Sequence, residues 1–150
     1  MTKTIKDFTF LALITVGLTL AVWLPHILAV PNFYGLNFSN GFATIYRNYD
    51  GLEYVVIAKS FYNPSLIAQI PLTQTPIYYA SHFPLYPLFI LIFSPILGFL
   101  KSMVFVSVLS AILSTWVFYL LIKDFKLSDH PFWLSGWTFD VGHVGKAMDG

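Results

Sequence analysis

Long stretches without a charged side chain are the feature that most limits what this chain can fold into. From Phe8 to Val30 no residue is charged and most are apolar. A helix over that stretch would be about 35 Å long, enough to cross a hydrocarbon core of about 30 Å. The stretch is too long for the apolar core of a signal peptide, about 7 to 15 residues, and it lacks a clear small-residue cleavage site. We therefore predict an uncleaved transmembrane helix over 8–30, after a cytoplasmic N-terminus at 1–7.

Two more apolar stretches follow later in the chain. The first, 83–100, begins among prolines and contains Pro95, and the second, 102–122, carries no charge. We predict two further transmembrane helices joined by a very short turn at Lys101, with the earlier one kinked or broken near its inner end. A stripe of small polar residues follows the last of these helices at spacings of three and four: Ser107, Ser110 and Ser114. Such a stripe allows another helix to pack closely.

Composition also indicates a membrane protein. Hydrophobic residues make up 57% of the chain and charged residues 10%, whereas soluble domains are roughly one quarter charged. A formal net charge of +1 without a Lys/Arg cluster gives no basis for a nucleic-acid partner. The chain has no cysteine, which excludes disulfides and cysteine-based metal sites. The histidines at 26, 82, 130 and 143 have no ligand-like spacing, so we predict no metal site.

The segment 31–82 is too polar to span a membrane but is rich in tyrosine and phenylalanine, which favour the boundary between membrane and water. We predict an outer loop that folds back onto the membrane surface. Within it, 51–62 has the spacing of a helix with one apolar face, and we predict that it lies along that surface. The residues of this face are Tyr54, Ile57, Ala58 and Phe61. From 123 to 150 no apolar run is long enough to span, and we predict an unfolded tail or the end of a truncated sequence.

Three alternating spans would place 31–82 and the C-terminal tail on the same side of the membrane. Positively charged residues favour the cytoplasmic side. Lys3, Lys6 and Lys101 would lie opposite the outer loop and support an outer or lumenal position for it, whereas Lys123 and Lys126 oppose that orientation. We predict a multi-pass protein of a bacterial or archaeal cell membrane, or of the endoplasmic reticulum in a eukaryote.

Asp50 and Glu53 are the only acidic residues between Phe8 and Lys123. Their spacing fits a capping box, in which the first side chain caps a helix and the second reaches back to its N–H. A carboxylate at the membrane surface is also suited to accept a proton from a hydroxyl group. The spacing alone leaves both roles open.

Two motifs resemble a known family. The first is Asn48-Tyr49-Asp50-Gly51 followed by Tyr54, Ile57-Ala58 and Phe61-Tyr62; the second, twenty residues later, is His82-Phe83-Pro84-Leu85-Tyr86-Pro87. In this order they resemble the PIG-V-like mannosyltransferases of the GT-C class, which show W-D-G-x-x-Y-x-x-I-A-x-x-G-Y and then F-F-P-L-Y-P at the head of the second span. The resemblance covers about 40 residues.

The resemblance implies an all-α membrane protein with three transmembrane helices that forms the N-terminal part of a GT-C-like glycosyltransferase. Such an enzyme moves a sugar, here mannose, from a polyprenyl-phosphate donor in the lipid bilayer to a hydroxyl of a glycan, lipid or protein acceptor. It implies Asp50 as the general base, with no cofactor besides the donor. Arg47 and His82 are candidates for contacts with the departing phosphate, since one is a donor fork and the other a possible cation. Tyr54 and Tyr86 are candidates for lining the substrate cleft.

The chain departs from the family pattern in places. Tyr49 stands where the family has Trp, and Phe61 where it has Gly. Family members also have many more spans, so we expect the three predicted here to be inactive alone. Two alternatives stay open: a small non-catalytic three-span subunit of a membrane complex, and a relative of the protein O-mannosyltransferases, which usually carry Asp-Glu where this chain has Asp50-Gly51.

Overall fold

A computed structural model describes residues 3–47, 50–70 and 74–137, and these residues are predominantly helical. The described helices are α1 Lys3–Ile27, α2 Phe42–Tyr46, α3 Gly51–Ser60, α4 Pro64–Ile67, α5 Pro76–Tyr79, α6 Leu85–Leu97, α7 Phe99–Asp124 and α8 Pro131–Trp137. One isolated bridge joins Phe33 to Leu36, and the described ranges contain no strand. The prediction of an all-α protein is confirmed.

Two helices are long and apolar enough to cross a membrane. They are Thr4–Ile27 in α1, with a mean hydropathy of 2.0, and Phe99–Asp124 in α7, with 2.2. Only 11% of the apolar window of α1 and 22% of that of α7 is buried inside the protein. Most of their apolar side chains are therefore exposed on the surface of the protein.

The helix predicted over 83–100 is shorter than expected. α6 has 13 residues, a length of about 20 Å, and it ends at Gly98, whose φ of 74° is a conformation that glycine adopts readily. α7 begins immediately afterwards, so Lys101 lies inside a helix and the predicted turn at Lys101 is wrong. The predicted break near Pro95 likewise falls at Gly98, three residues later.

The chain divides into two compact units. The first combines residues up to Val22 with those from Val108 onward, and the second runs from Trp23 to Ser107. In the first unit, α1 and α7 are joined by a hydrogen bond from the Tyr119 hydroxyl to Asp7 Oδ2 at 2.7 Å. One to two turns away, the hydroxyl groups of Thr15 and Thr115 are 3.3 Å apart.

The second unit is built around α3. Val55 and Ala58 pack in one buried cluster with residues of α6 and α7, while Val56 and Ile57 pack in another with Ile67 of α4 and Tyr79 of α5. The prediction of a helix with a single apolar face is therefore wrong, because protein covers α3 on two faces. The buried residues of α3 are Val55, Val56, Ile57, Ala58 and Ser60.

α3 ends two residues before the predicted limit of 62. Phe61 and Tyr62 both adopt left-handed backbone conformations, with φ of 48° and 62°, and Phe61 is 64% exposed rather than part of an apolar face. The side chain of Asn63 then accepts hydrogen bonds from the N–H groups of Ser65 and Leu66 and caps α4.

The predicted unfolded tail is wrong in part. Residues up to Asp124 continue α7, and α8 forms over Pro131–Trp137. The ring of Phe132 packs against Phe10 of α1, with centroids 5.3 Å apart. The rest of the predicted tail, 138–150, lies outside the described residues.

Replacing Gly51 by alanine should destabilise the second unit. A Cβ at position 51 would lie 2.9 Å from the backbone oxygen of Tyr46 and 3.5 Å from the side chain of Met103. Since the oxygen belongs to the backbone, α2 or α3 has to shift, and we expect a loss of about 1 to 3 kcal/mol. Thermal unfolding of the purified protein in detergent measures this loss.

Gly17→Ala is the matched control. It lies inside α1, and no atom lies within 4 Å of an added Cβ, so alanine's better helix propensity should leave stability equal or slightly raised. Equal melting temperatures for Gly51→Ala and the unchanged protein would contradict the close approach of α3 to α2.

Candidate functional site

Asp50 is the residue that precedes α3, but it does not cap the helix with its side chain. Its backbone oxygen accepts from the Tyr54 N–H at 3.1 Å, while the carboxylate makes no capping hydrogen bond. Asp50 therefore does not form the capping box that its spacing from Glu53 fits. The carboxylate is available for other contacts.

Two side chains from the segment before α6 approach the Asp50 carboxylate. The Tyr78 hydroxyl donates a hydrogen bond to Oδ1 at 3.1 Å, and His82 Nε2 lies 3.8 Å from Oδ2. The Asp50 side chain is nevertheless 52% exposed. The carboxylate is thus flanked on both oxygens but remains open to solvent.

His82 is enclosed by protein on the side away from Asp50. Its side chain is only 7% exposed, and its ring makes edge contacts with Tyr54 at 5.0 Å and Tyr78 at 5.1 Å between centroids. On the other side of the ring, Nδ1 lies 3.4 Å from the Ser81 hydroxyl, and the His82 backbone oxygen accepts from Tyr62 at 2.8 Å. The imidazole therefore points at Asp50, so that it can pair with the carboxylate when protonated.

Tyr54 and Tyr86 lie next to this pair. Their rings make an edge contact at 4.9 Å, which links α3 to the first turn of α6. The Tyr86 hydroxyl is already engaged, donating to the Met103 backbone oxygen at 3.0 Å and lying 2.7 Å from the Ser107 hydroxyl. Of these two predicted substrate-binding residues, Tyr86 accordingly anchors α6 to α7, and Tyr54 lies beside His82.

Arg47 is not brought to Asp50. It lies exposed at the C-terminal end of α2 and, among the described residues, forms no ion pair with Asp50. It lines a surface cavity of about 340 Å³ together with Asn40, Ala43 and Thr44. Within the described part of the chain no side-chain hydrogen bond engages its guanidinium group, whose planar donors suit an anion.

Glu53, whose spacing from Asp50 fits a capping box, lies on α3 close enough to Tyr78 and Tyr79 to contribute to the raised pKa of both phenols. Its Oε2 is buried and has no hydrogen-bond partner within the described part of the chain, and the same holds for the Tyr79 hydroxyl. Burial, and then the charge of Glu53, raises the pKa of the Tyr79 phenol above its usual value of 10.0. The sequence signal was its position one helical turn after Asp50.

The arrangement can accept a proton at Asp50. An incoming hydroxyl can reach the exposed side of the carboxylate, while Tyr78 and His82 fix its orientation from the protein side. The described residues contain no cluster of three or more His, Asp or Glu side chains able to hold a metal ion.

The titration of Tyr78 should report its bond to Asp50. The hydrogen bond to the Asp50 carboxylate, followed by burial, raises the pKa of the Tyr78 phenol above 10.0, and the charge of Glu53 adds a smaller effect. In Asp50→Asn this pKa should fall toward 10, because the charged acceptor that favours the neutral phenol is gone. NMR of ring-labelled tyrosine as a function of pH, assigned with Tyr78→Phe, measures it.

Glu53→Gln is the comparison that isolates the hydrogen bond. It also removes one negative charge, so a purely long-range effect would lower the Tyr78 pKa by a similar amount in both variants. We expect the fall to be larger in Asp50→Asn. An equal or smaller fall would mean that the Tyr78 phenol is not bonded to Asp50.

Comparison with known proteins does not place the chain in a family. No family model, no curated protein and no solved structure matches it. Its function therefore has to be inferred from its own residues.

Proposed function

We propose that this chain belongs to an integral-membrane glycosyltransferase that moves a sugar from a polyprenyl-phosphate donor to an acceptor hydroxyl, with Asp50 as the general base. The observation that carries the proposal is the state of the Asp50 carboxylate. It is free of the capping role that its position offers, it lies between Tyr78 and His82, and half of it is exposed. An aspartate with only a structural task would be expected to bond the helix N-terminus.

A membrane location is supported by the exposure of the two long apolar helices. Little of α1 or α7 is covered by protein, and apolar surface on that scale favours an apolar surrounding. The site lies beside the start of α7, because Gly51 approaches Met103 and Tyr86 bonds to Ser107. A donor whose lipid tail lies in the bilayer could therefore present its sugar near Asp50.

In the proposed reaction, the acceptor hydroxyl binds at the open side of Asp50. Its oxygen attacks the anomeric carbon of the donor while Asp50 takes its proton, and the bond from that carbon to the phosphate oxygen breaks. The bonding electrons leave with the polyprenyl phosphate, and the proton later passes from Asp50 to solvent. We propose that His82 orients the base and that Arg47, exposed at the C-terminal end of α2, is the cation that meets the departing phosphate.

The choice of sugar rests on the resemblance to the PIG-V-like mannosyltransferases. Residues of the two motifs contact each other in the structure: Asp50 and Tyr54 from the first motif lie next to His82 and Tyr86 from the second. Asn48 and Tyr49 lie outside the described residues. We propose mannose as the sugar, and a glycan, lipid or protein as the acceptor.

A non-catalytic subunit of a membrane complex is the second candidate. Of the three serines in the predicted stripe on α7, Ser107 is bonded to Tyr86, whereas Ser110 and Ser114 are exposed. Exposed small polar residues on an apolar helix suit contact with another transmembrane helix. This candidate predicts no effect of Asp50 on sugar transfer.

Asp50→Asn should reduce sugar transfer at least a hundredfold, since a general base typically contributes a factor of about 10² to 10⁴. The amount of folded protein should stay the same, because no capping bond is lost and the amide keeps the shape of the carboxylate. Transfer from polyprenyl-phosphate mannose is measured in membranes of cells that express the complete open reading frame containing this chain, with immunoblotting for protein amount.

Asp129→Asn is the control for removing one acidic group, since Asp129 is exposed and lies in the other unit. It should transfer sugar at the unchanged rate. Near-normal transfer by Asp50→Asn would overturn the general-base role and favour the subunit candidate.

A further inference from the structure

The contacts in the first unit fix the relative direction of the two membrane-length helices. Near the N-terminus of α1, Asp7 accepts from Tyr119 and Phe8 packs on Trp116, with centroids 5.1 Å apart. Farther along α1, Thr15 meets Thr115, which comes earlier in α7. A rising number on α1 is thus paired with a falling number on α7, so the two helices run antiparallel.

Antiparallel spans require an even number of crossings between them. With three spans, α1 and α7 would run in the same direction, and Asp7 would lie at the level of Lys101 rather than that of Tyr119. α6 is the single apolar helix between α1 and α7 in the described ranges, and at about 20 Å it is too short for a core of about 30 Å. Its 13 residues suit a helix that enters part of the bilayer or packs inside the protein.

We propose that the chain crosses the membrane twice, through α1 and α7, and that the whole segment 28–98 stays on one side. The start of α7 with Lys101 lies on that side too, and both the first turn of α1 and residues 125–137 lie on the other. The proposal does not depend on the sugar-transfer activity. It replaces the three-span topology expected from the apolar runs.

The distribution of positive charge agrees with two spans. Lys3 and Lys6 lie at the start of α1, and Lys123 and Lys126 lie at and just after the end of α7. In the two-span topology all four lie on one side, which the positive-inside rule makes cytoplasmic. The conflict that three spans create between these two pairs of lysines disappears.

Helix lengths agree as well. From Asp7 to Ile27 along α1, and from Tyr119 back to Phe99 along α7, the chain rises by about 30 Å in each case. Each leg is one hydrocarbon thickness. The hydrogen bond between Asp7 and Tyr119 then falls near the cytoplasmic boundary, where an acidic side chain is less costly than at the bilayer centre.

Single cysteines test the topology without background, because the natural chain has none. We would introduce Thr4→Cys, Ser39→Cys, Lys101→Cys and Asp129→Cys separately, all at exposed positions. A membrane-impermeant maleimide applied to intact cells should label positions 39 and 101, but not 4 and 129. After detergent permeabilisation all four should react.

The three-span topology predicts the opposite result at the two decisive positions. Labelling of Asp129→Cys together with protection of Lys101→Cys in intact cells would overturn the proposal. Removal of an N-terminal tag by signal cleavage would also overturn it, because α1 would then not be a span.

A crosslinking pair checks the direction of the two helices independently of which cysteines can be labelled from outside the cell. In Asp7→Cys/Tyr119→Cys, a short bismaleimide should link the two helices. When a protease then cuts the chain between α1 and α7, the two fragments should stay joined and migrate as one band. Asp7→Cys/Lys101→Cys is the matched control and should not be linked. Crosslinking of the control pair alone would show that α1 and α7 run in the same direction.

Discussion

The close approach of α3 to the backbone before it and to the start of α7 is the contact on which the candidate site depends. Gly51 permits it, because a larger residue would collide with the Tyr46 carbonyl and press on Met103. Asp50 is the residue immediately before this contact, so its backbone is fixed by the same packing. The two hydrophobic clusters on either side of α3 then hold the helix against both α6 and α5. The position of one exposed carboxylate is thus determined by buried neighbours.

Much of the helical framework could be predicted from the sequence, because uncharged apolar runs and proline positions depend on local residues alone. The interruption between α6 and α7 could not be placed in the same way. The turn was predicted at Lys101 because it is the charged residue of that region. A lysine at the start of a helix can, however, keep its ammonium group in water while its aliphatic stem lies along apolar surface. Gly98, which carries no charge signal, ends α6 because of its backbone conformation.

The site shows a similar division. The two motifs named Asp50, Tyr54 and His82 as candidates, and the structure brings these three side chains together. Tyr78 was not predicted, because nothing local separates it from the other tyrosines and its bond to Asp50 depends on how α4 and α5 fold. The burial of the Glu53 carboxylate was not predicted either, because it also depends on how other segments pack against α3. Burial on two sides of α3 is a tertiary property that one helical period does not reveal.

The packing around His82 separates the site into a fixed part and an open part. Tyrosine rings enclose the imidazole and leave the Asp50 carboxylate as the accessible group of the pair. An enclosed imidazole cannot swing out to meet a bulky phosphate without breaking these ring contacts. In the proposed reaction the acceptor hydroxyl therefore has to meet Asp50, and the phosphate has to be met elsewhere.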